Sequence, residues 1–143
     1  MDSTQAPPKD KPAAASIRAG SLAQKLGIEI LEADPQLTVA TMPVAGNTQP
    51  AGILHGGASA VLAETLGSCA ANLLVAGSRR AAVGLDLNIT HVRPARAGLV
   101  TGTCRAVHLG RSICVHSIEI TDKTGKLIAT ARITNKIIDV PAS

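Results

Sequence analysis

The chain has 143 residues, a net charge of +4 and a hydrophobic content of 45%, which is typical of one globular domain and excludes a chain that is disordered throughout. Phe, Tyr and Trp are absent, which excludes nucleic-acid modules that stack bases on aromatic side chains and aromatic cages for quaternary ammonium ligands. The positive charge is mild and forms no basic run, so no nucleic-acid partner is expected.

The first residues predict a leader outside the folded domain. Residues 1–16 are polar, rich in Pro, Ala and Lys, and lack the apolar segment of a secretory signal. Because the chain has no run of eighteen apolar residues, no membrane span is expected. We therefore predict a disordered leader over 1–16 and one domain over 17–143. Three cysteines without CxxC spacing favour a reducing, cytoplasmic location.

A short helix and two strands are predicted in the first third of the chain. The spacing of leucines predicts a helix over 17–26, which a glycine ends. Alternating apolar and polar residues predict strands over 28–32 and 37–43, and an Asp-Pro turn joins these strands as a hairpin. A loop that contains Gly and Pro follows over 45–52.

One long helix is predicted in the middle of the chain, from residue 56 to about residue 77. An apolar stretch of about twenty residues would form a helix roughly 30 Å long. Strand patterns then recur over 82–92, 99–107, 112–121 and 127–138. One long helix with five or six antiparallel strands is an α+β architecture in which the helix lies on one face of the sheet.

Glu64 is the only charged residue between positions 56 and 78. An unpaired buried carboxylate costs several kcal/mol unless it takes up a proton. We therefore expect Glu64 to face a solvent-filled cleft or to act as an acid or base, the alternative being an ordinary exposed charge. Gly57 and Ser68 share its helix face, which leaves room for a ligand or for close packing against a sheet or a second subunit.

The residues before this helix indicate an anion site. His55 and Gly56 stand where the first backbone N–H groups lack intrahelical partners and carry the positive end of the helix dipole. Such a position suits a developing oxyanion. His-Gly-Gly alone is equally typical of a plain turn, but a lone carboxylate nine residues after His55 makes the pattern more specific.

Together these residues resemble the hotdog-fold acyl-CoA thioesterases. The match is the segment QPAGILHGG at 49–57, followed by Ala63-Glu64. The glutamate makes the chain most similar to the 4-hydroxybenzoyl-CoA thioesterase branch and, closer still, to 1,4-dihydroxy-2-naphthoyl-CoA thioesterases. The segments NITHVR at 88–93 and VHLGRS at 107–112 resemble the same group. The resemblance spans about residues 20–138.

The resemblance implies a long helix wrapped by the sheet, active sites at a dimer interface, and usually a tetramer of two dimers. It implies that Glu64 is the nucleophile or general base and that the N–H of Gly56 polarises the thioester carbonyl. His55 and Gln49 would orient that carbonyl or the leaving sulfur. Ser68, on the other subunit's helix, would position the water or the acyl group. Neither a metal nor a redox cofactor is expected.

Contacts with coenzyme A are expected along the later strands. Six arginines and one acidic residue stand between positions 65 and 118, and arginine suits the pyrophosphate and 3′-phosphate of coenzyme A. The resemblance favours Arg93 and Arg111 as phosphate ligands, whereas the other four arginines fit a solvated surface equally well. The predicted substrate-binding residues are Gly57, Val83, Thr90, His91, Val92, Arg93, His108, Leu109, Gly110, Arg111 and Ser112.

Two other functions stay open at this point. A hydratase or dehydratase of the same fold would pair a histidine with an acid, but the glutamate nine residues after His55 resembles the thioesterase pattern. An acyl-CoA-binding or sensing protein would bind the same ligands without turnover. Cys104, His108, Cys114 and His116 lack the usual spacing of a zinc site, so no metal is predicted.

The acyl group itself is not defined by the sequence. With no aromatic side chain available, an aromatic acyl group would lie against aliphatic side chains. The resemblance implies an aromatic or medium-size acyl-CoA as the substrate class.

Overall fold

The computed structural model of the chain describes residues 19–141. This part of the chain forms two helices, α1 (Gly20–Leu26) and α2 (Gly56–Leu74), and six strands. The strands are β1 (Glu29–Glu32), β2 (Leu37–Pro43), β3 (Arg80–His91), β4 (Leu99–Leu109), β5 (Ile113–Thr121) and β6 (Leu127–Asp139). The predicted leader over 1–16 lies outside the described residues, as do residues 17 and 18 of the predicted first helix.

The six strands form one antiparallel sheet in the order β1-β2-β4-β5-β6-β3. The predicted α+β architecture is confirmed, with six strands rather than five. β1 and β3 are the two edge strands, and α2 packs across one face of the sheet. Neither helix of residues 19–141 is long and apolar enough to cross a membrane.

Small and aliphatic side chains hold α2 against the sheet. Leu62, Leu66 and Ala70 are fully buried. The helix lies close to β4, because a Cβ built on Gly102 would lie only 2.5 Å from Cδ1 of Leu66. A core without aromatic rings therefore reaches close packing by bringing the helix near the sheet.

An asparagine ties the end of α2 to edge strand β3. The Oδ1 of Asn72 accepts a hydrogen bond from the N–H of Ala82 at 3.0 Å, and its Nδ2 donates to the carbonyl of Ala82 at 3.3 Å. This two-point contact fixes the position of β3 relative to the helix face that carries Glu64.

The helix ends earlier than the predicted residue 77. The N–H and the hydroxyl of Ser78 both donate to the carbonyl of Val75, at 3.1 and 2.5 Å, and Gly77 has a φ of 79°. These contacts close a turn over 75–78. The sequence pattern extended the helix because Val75 is apolar, but Val75 already departs from helical geometry with φ −103° and ψ 7°, and Gly77 belongs to the turn that follows.

His116 of β5 links the sheet to the turn between β1 and β2. Its side chain is fully buried, and Nε2 lies 2.8 Å from the carbonyl oxygen of Pro35. Burial lowers the pKa of His116 below its ordinary value of 6.5, because the apolar surroundings disfavour the charged imidazolium.

We expect acidification to destabilise the protein partly through His116. The folded state holds the imidazole neutral, so the unfolded chain binds the proton more readily and stability falls as pH drops from the unfolded pKa towards the folded pKa. His116→Leu should reduce this fall. Urea unfolding midpoints measured at about pH 7.5 and about pH 5 would then differ less than in the wild type. An equal difference in both proteins would contradict the prediction.

Candidate active site

His55 caps the N-terminus of α2. Its Nδ1 accepts a hydrogen bond from the N–H of Gly57 at 2.8 Å. Because Nδ1 accepts, the neutral imidazole carries its proton on Nε2, which is left to donate to another group. The N–H of Gly56 has no acceptor within residues 19–141. Two donors therefore stand at the positive end of the helix dipole.

The loop before the helix supplies a third donor. The N–H of Gln49 donates to the carbonyl of Ile53 and its carbonyl accepts from Gly52, both at 2.9 Å. The Oε1 of Gln49 accepts from the N–H of Ala51 at 2.6 Å. These bonds fix the loop and leave the side-chain amide nitrogen of Gln49 as a hydrogen-bond donor.

A pocket of about 450 Å³ lies beside the helix N-terminus, and we call it the helix-start pocket. The ring of His91 packs against Gly56, because a Cβ built there would lie 3.0 Å from Nε2 of His91. Only a glycine allows this close approach without displacing the ring. Five of the predicted site residues line the pocket: Gln49, Gly56, His91, Val92 and Arg93.

A second pocket, of about 520 Å³, lies between α1 and α2, and we call it the interhelical pocket. Glu64 and Ser68 line it, together with largely apolar residues of both helices. Glu64 is half-buried and forms no hydrogen bond or ion pair in the described part of the chain. The carboxylate is therefore available to a ligand in this pocket.

The carboxylate of Glu64 also lies against β3. A Cβ built on Gly84 would lie 2.6 Å from Oε1 of Glu64, so a side chain at this position would displace the carboxylate. This contact was not predicted from the sequence, and neither was the contribution of α1, whose Leu22 and Ala23 line the interhelical pocket together with its N-cap residue Ala19. A glycine inside a predicted strand is the signal that could have indicated a close approach at Gly84.

Ser68 and Glu64 of one chain line the same pocket, whereas the participation of Ser68 from the other subunit stays a prediction. They lie together because residues four apart share one face of a helix.

The predicted coenzyme A ligands lie mainly in two segments, 90–93 and 108–112. The second segment belongs to the turn between β4 and β5. The N–H of Gly110 donates to the carbonyl of Ile113 at 2.9 Å, and the N–H of Ile137 donates to the carbonyl of Ser112 at 2.8 Å. The guanidinium of Arg80 donates to the carbonyl of Arg111. The turn is thereby anchored to β3 and β6, with the side chains of His108, Arg111 and Ser112 exposed and Leu109 half-buried.

The two predicted groups of coenzyme A ligands do not meet within one chain. Arg80, which contacts the β4–β5 turn, begins β3, and His91 ends it. A strand of this length spans roughly 36 Å. The exposed residues Val83 and Thr90 lie near opposite ends of the same strand and line neither pocket. Arg93 and Arg111 could therefore bind the phosphates of one coenzyme A molecule only if they came from different chains.

The two predicted catalytic groups are also separated. Gly56 and Glu64 lie eight residues apart on α2, which is roughly 12 Å along a helix. They line different pockets. One chain thus presents the hydrogen-bond donors at the start of α2 and the carboxylate of Glu64 at two distinct places.

All three cysteines are free. Burial raises the pKa of Cys69, which lines the interhelical pocket, and raises that of Cys104 to about 12. Both thiols are therefore uncharged at neutral pH. Within residues 19–141, no group of three His, Cys, Asp or Glu side chains is placed to hold a metal ion.

Comparison with known families identifies the chain. The model of the thioesterase superfamily matches residues 51–129, which include the helix N-terminus and Glu64. The chain belongs to the thioesterase superfamily. This confirms the family predicted from the sequence, and the chain is a thioester hydrolase.

One relative of this thioesterase is the 1,4-dihydroxy-2-naphthoyl-CoA hydrolase of Escherichia coli. The two are 50% identical over 100 residues, which cover 69% of this chain and 73% of the relative. Among solved structures, a thioesterase from Haemophilus influenzae matches with a TM-score of 0.81 and 41% identity, covering 85% of each chain. The hotdog fold is thereby confirmed.

A thioesterase from Staphylococcus aureus has been solved as two alanine variants, one of a glutamine and one of a glutamate. The replaced residues are fifteen positions apart in that protein. Its glutamate variant matches this thioesterase with a TM-score of 0.81 and 34% identity, covering 84% of this chain and 100% of the relative.

Proposed function

We propose that this thioesterase hydrolyses an acyl-CoA with an aromatic or medium-size acyl group to the free acid and coenzyme A, and that Glu64 starts the reaction. The observation that carries the proposal is the half-buried carboxylate of Glu64, unpaired within residues 19–141, in a pocket lined mostly by apolar residues. The Escherichia coli relative, named for an aromatic acyl-CoA, supports the substrate class.

The proposed hydrolysis can follow two routes, and both develop negative charge on the thioester carbonyl oxygen. Glu64 either takes a proton from the water that bonds to the thioester carbon, or bonds to that carbon itself and is released by water. In both routes negative charge develops on the carbonyl oxygen before the C–S bond breaks. The N–H of Gly56 is the proposed donor to that oxygen, supported by the helix dipole. Metal and redox cofactors have no part in this scheme.

His55 and Gln49 are the proposed orienting residues. Nδ1 of His55 and Oε1 of Gln49 already accept backbone hydrogen bonds. The Nε2–H of His55 and the amide NH₂ of Gln49 can therefore donate to the substrate. Gln49 and Glu64 are fifteen positions apart, the separation of the two residues replaced in the Staphylococcus aureus relative. This coincidence supports the assignment of both residues to one reaction.

We further propose that the working unit is a homodimer paired through β3, with a tetramer of two such dimers in the cytoplasm. β3 is an edge strand with Val83 and Leu85 exposed on it, and an unpaired edge is a template for a second strand. Antiparallel pairing about a twofold axis sets the first half of β3 beside the second half of its copy.

Pairing through β3 would bring Glu64 of one copy near the hydrogen-bond donors at the start of α2 in the other copy. Glu64 contacts Gly84 in the first half of β3, whereas Gly56 contacts His91 at its end. A dimer would therefore bring the carboxylate of one copy towards the helix-start pocket of the other. The β4–β5 turn of one copy would likewise approach Arg93 of the other. Both predicted halves of the coenzyme A site then belong to one interface.

We expect Arg93→Ala and Arg111→Ala to raise the KM for CoA esters about tenfold, because each guanidinium would lose a charge-assisted bond to phosphate. Esters of pantetheine, which lack the nucleotide, should show less than about a twofold change. Arg132→Ala is the matched control, since Arg132 is exposed on β6, lines neither pocket and is not among the arginines considered for phosphate binding. Equal increases with both ester types would count against phosphate binding.

The function is tested by measuring the release of coenzyme A thiol from a panel of esters. The panel contains benzoyl, 4-hydroxybenzoyl, 1,4-dihydroxy-2-naphthoyl, phenylacetyl, short-chain and long-chain CoA. We expect the aromatic or medium-size esters to be hydrolysed fastest. A protein blank corrects for the reaction of Cys69 with the thiol reagent. If no ester is hydrolysed while CoA esters still bind, a binding protein without turnover replaces the proposal.

A further inference from the structure

One buried polar group near Glu64 is left without a partner. Asn135 of β6 is fully buried. It lies on the same buried face of the strand as Ile133 and Ile137. Its Nδ2 donates to the carbonyl of Gly67 at 3.4 Å, but its Oδ1 has no hydrogen-bond partner within residues 19–141. An unsatisfied buried acceptor is costly, so this oxygen calls for a functional explanation.

The unpartnered oxygen faces the place where the carboxylate of Glu64 lies. Asn135 is the direct neighbour of Gly84 in the pairing of β6 with β3. A Cβ built on Gly84 would lie 3.9 Å from Oδ1 of Asn135 and 2.6 Å from Oε1 of Glu64. The amide oxygen and the carboxylate oxygen thus converge on the space above one glycine.

Two acceptors cannot bond to each other, but a protonated carboxyl can donate to an amide oxygen. We propose that Asn135 is a positioning residue for Glu64, whose protonated form donates to Oδ1 of Asn135 directly or through one water molecule. The inference rests on the proposed function and commits it to the general-base route. There the water oxygen bonds to the thioester carbon while its proton passes to Glu64. When the C–S bond breaks, that proton passes to the leaving thiolate and Glu64 is again a carboxylate.

Among residues 19–141, Glu64 is the only charged residue that lines the interhelical pocket. The other titratable group there is Cys69, whose pKa burial raises, so it is a neutral thiol at neutral pH. The lining residues of α1 are uncharged, and β3 and β6 present Gly84 and Asn135. In the proposed dimer, the helix-start pocket of the other copy adds the titratable side chains of His55 and His91.

The test compares Asn135→Thr with Asn135→Val, which have nearly the same shape but differ in a hydroxyl acceptor. We expect kcat of the valine variant to be about tenfold below that of the threonine variant, with KM within about twofold, because one acceptor of the protonated Glu64 is lost. Thr38→Val is the matched control. It removes a hydroxyl at another fully buried strand position and should lower stability without changing kcat.

Asn135→Asp supplies an independent readout. A second carboxyl facing Glu64 should move the acid limb of kcat/KM upward by about one pH unit or more, which requires the side chain at position 135 to face the carboxylate of Glu64. Equal kcat values for the threonine and valine variants, or an unmoved acid limb in the aspartate variant, would overturn the inference. If Asn135→Val does not fold, the aspartate variant decides alone. A fully active Glu64→Gln protein would instead refute the proposed function, so the two failures are distinct.

Discussion

Replacing Glu64 by glutamine is expected to lower kcat by more than about a hundredfold while the fold is kept. Glutamine keeps the shape of the side chain but can neither take a proton from water nor attack the thioester. The carboxylate makes no hydrogen bond or ion pair in residues 19–141, so no stabilising contact is lost. The experiment measures kcat with the best ester of the panel and compares urea unfolding midpoints.

A matched control separates this effect from the loss of one negative charge. Glu119 is exposed on β5 and lines neither pocket, so Glu119→Gln should keep wild-type turnover. The KM of Glu64→Gln should change little, because the pocket keeps its shape. A Glu64→Gln protein that turns over at nearly the wild-type rate would remove Glu64 from the chemistry.

Mixing two defective subunits is expected to restore activity. Gln49→Ala removes a donor from the helix-start pocket, and Glu64→Gln removes the carboxylate. If each site combines Gln49 of one chain with Glu64 of the other, a mixed dimer has one site with both defects and one intact site. Random pairing then gives about a quarter of wild-type activity, because half of the dimers are mixed and each has one intact site.

The control for this experiment uses two residues of the same pocket. Glu64 and Ser68 of one chain line the interhelical pocket together. A mixture of Glu64→Gln with Ser68→Ala should therefore gain nothing, since both sites of every mixed dimer carry one defect. Co-expression with two affinity tags isolates the mixed dimers. If the Gln49→Ala and Glu64→Gln pair also gains nothing, the two residues act within one chain or on different sites.

Local patterns predicted nearly every element of the fold. The strands after the helix begin and end within about two residues of their predicted bounds. In β4, β5 and β6 one face is buried and alternation follows burial. The end of α2 was predicted too late, since a buried Val75 looks helical whether or not a turn follows. The order of the strands was not predicted, because pairing depends on contacts between residues far apart in sequence.

The site was predictable only where its residues stand close together in the chain. His55, Gly56 and Glu64 belong to one loop–helix unit, and a lone carboxylate on an apolar helix is visible in the sequence. Gly84 and Asn135 reach Glu64 from two other strands, and neither was assigned a role from the sequence. In the case of Asn135, a polar residue among alternating buried isoleucines was the available signal.

The amino-acid sequence alone was sufficient for the fold class, the long helix with its single carboxylate, and the thioesterase family, because periodicity and short motifs are local properties. The separation of the donors at Gly56 from Glu64, the distance between Arg93 and Arg111, and the convergence of Glu64 and Asn135 on Gly84 emerged only in three dimensions. These relations depend on how α2 crosses the sheet and on which strand forms its edge, and both result from packing between distant segments.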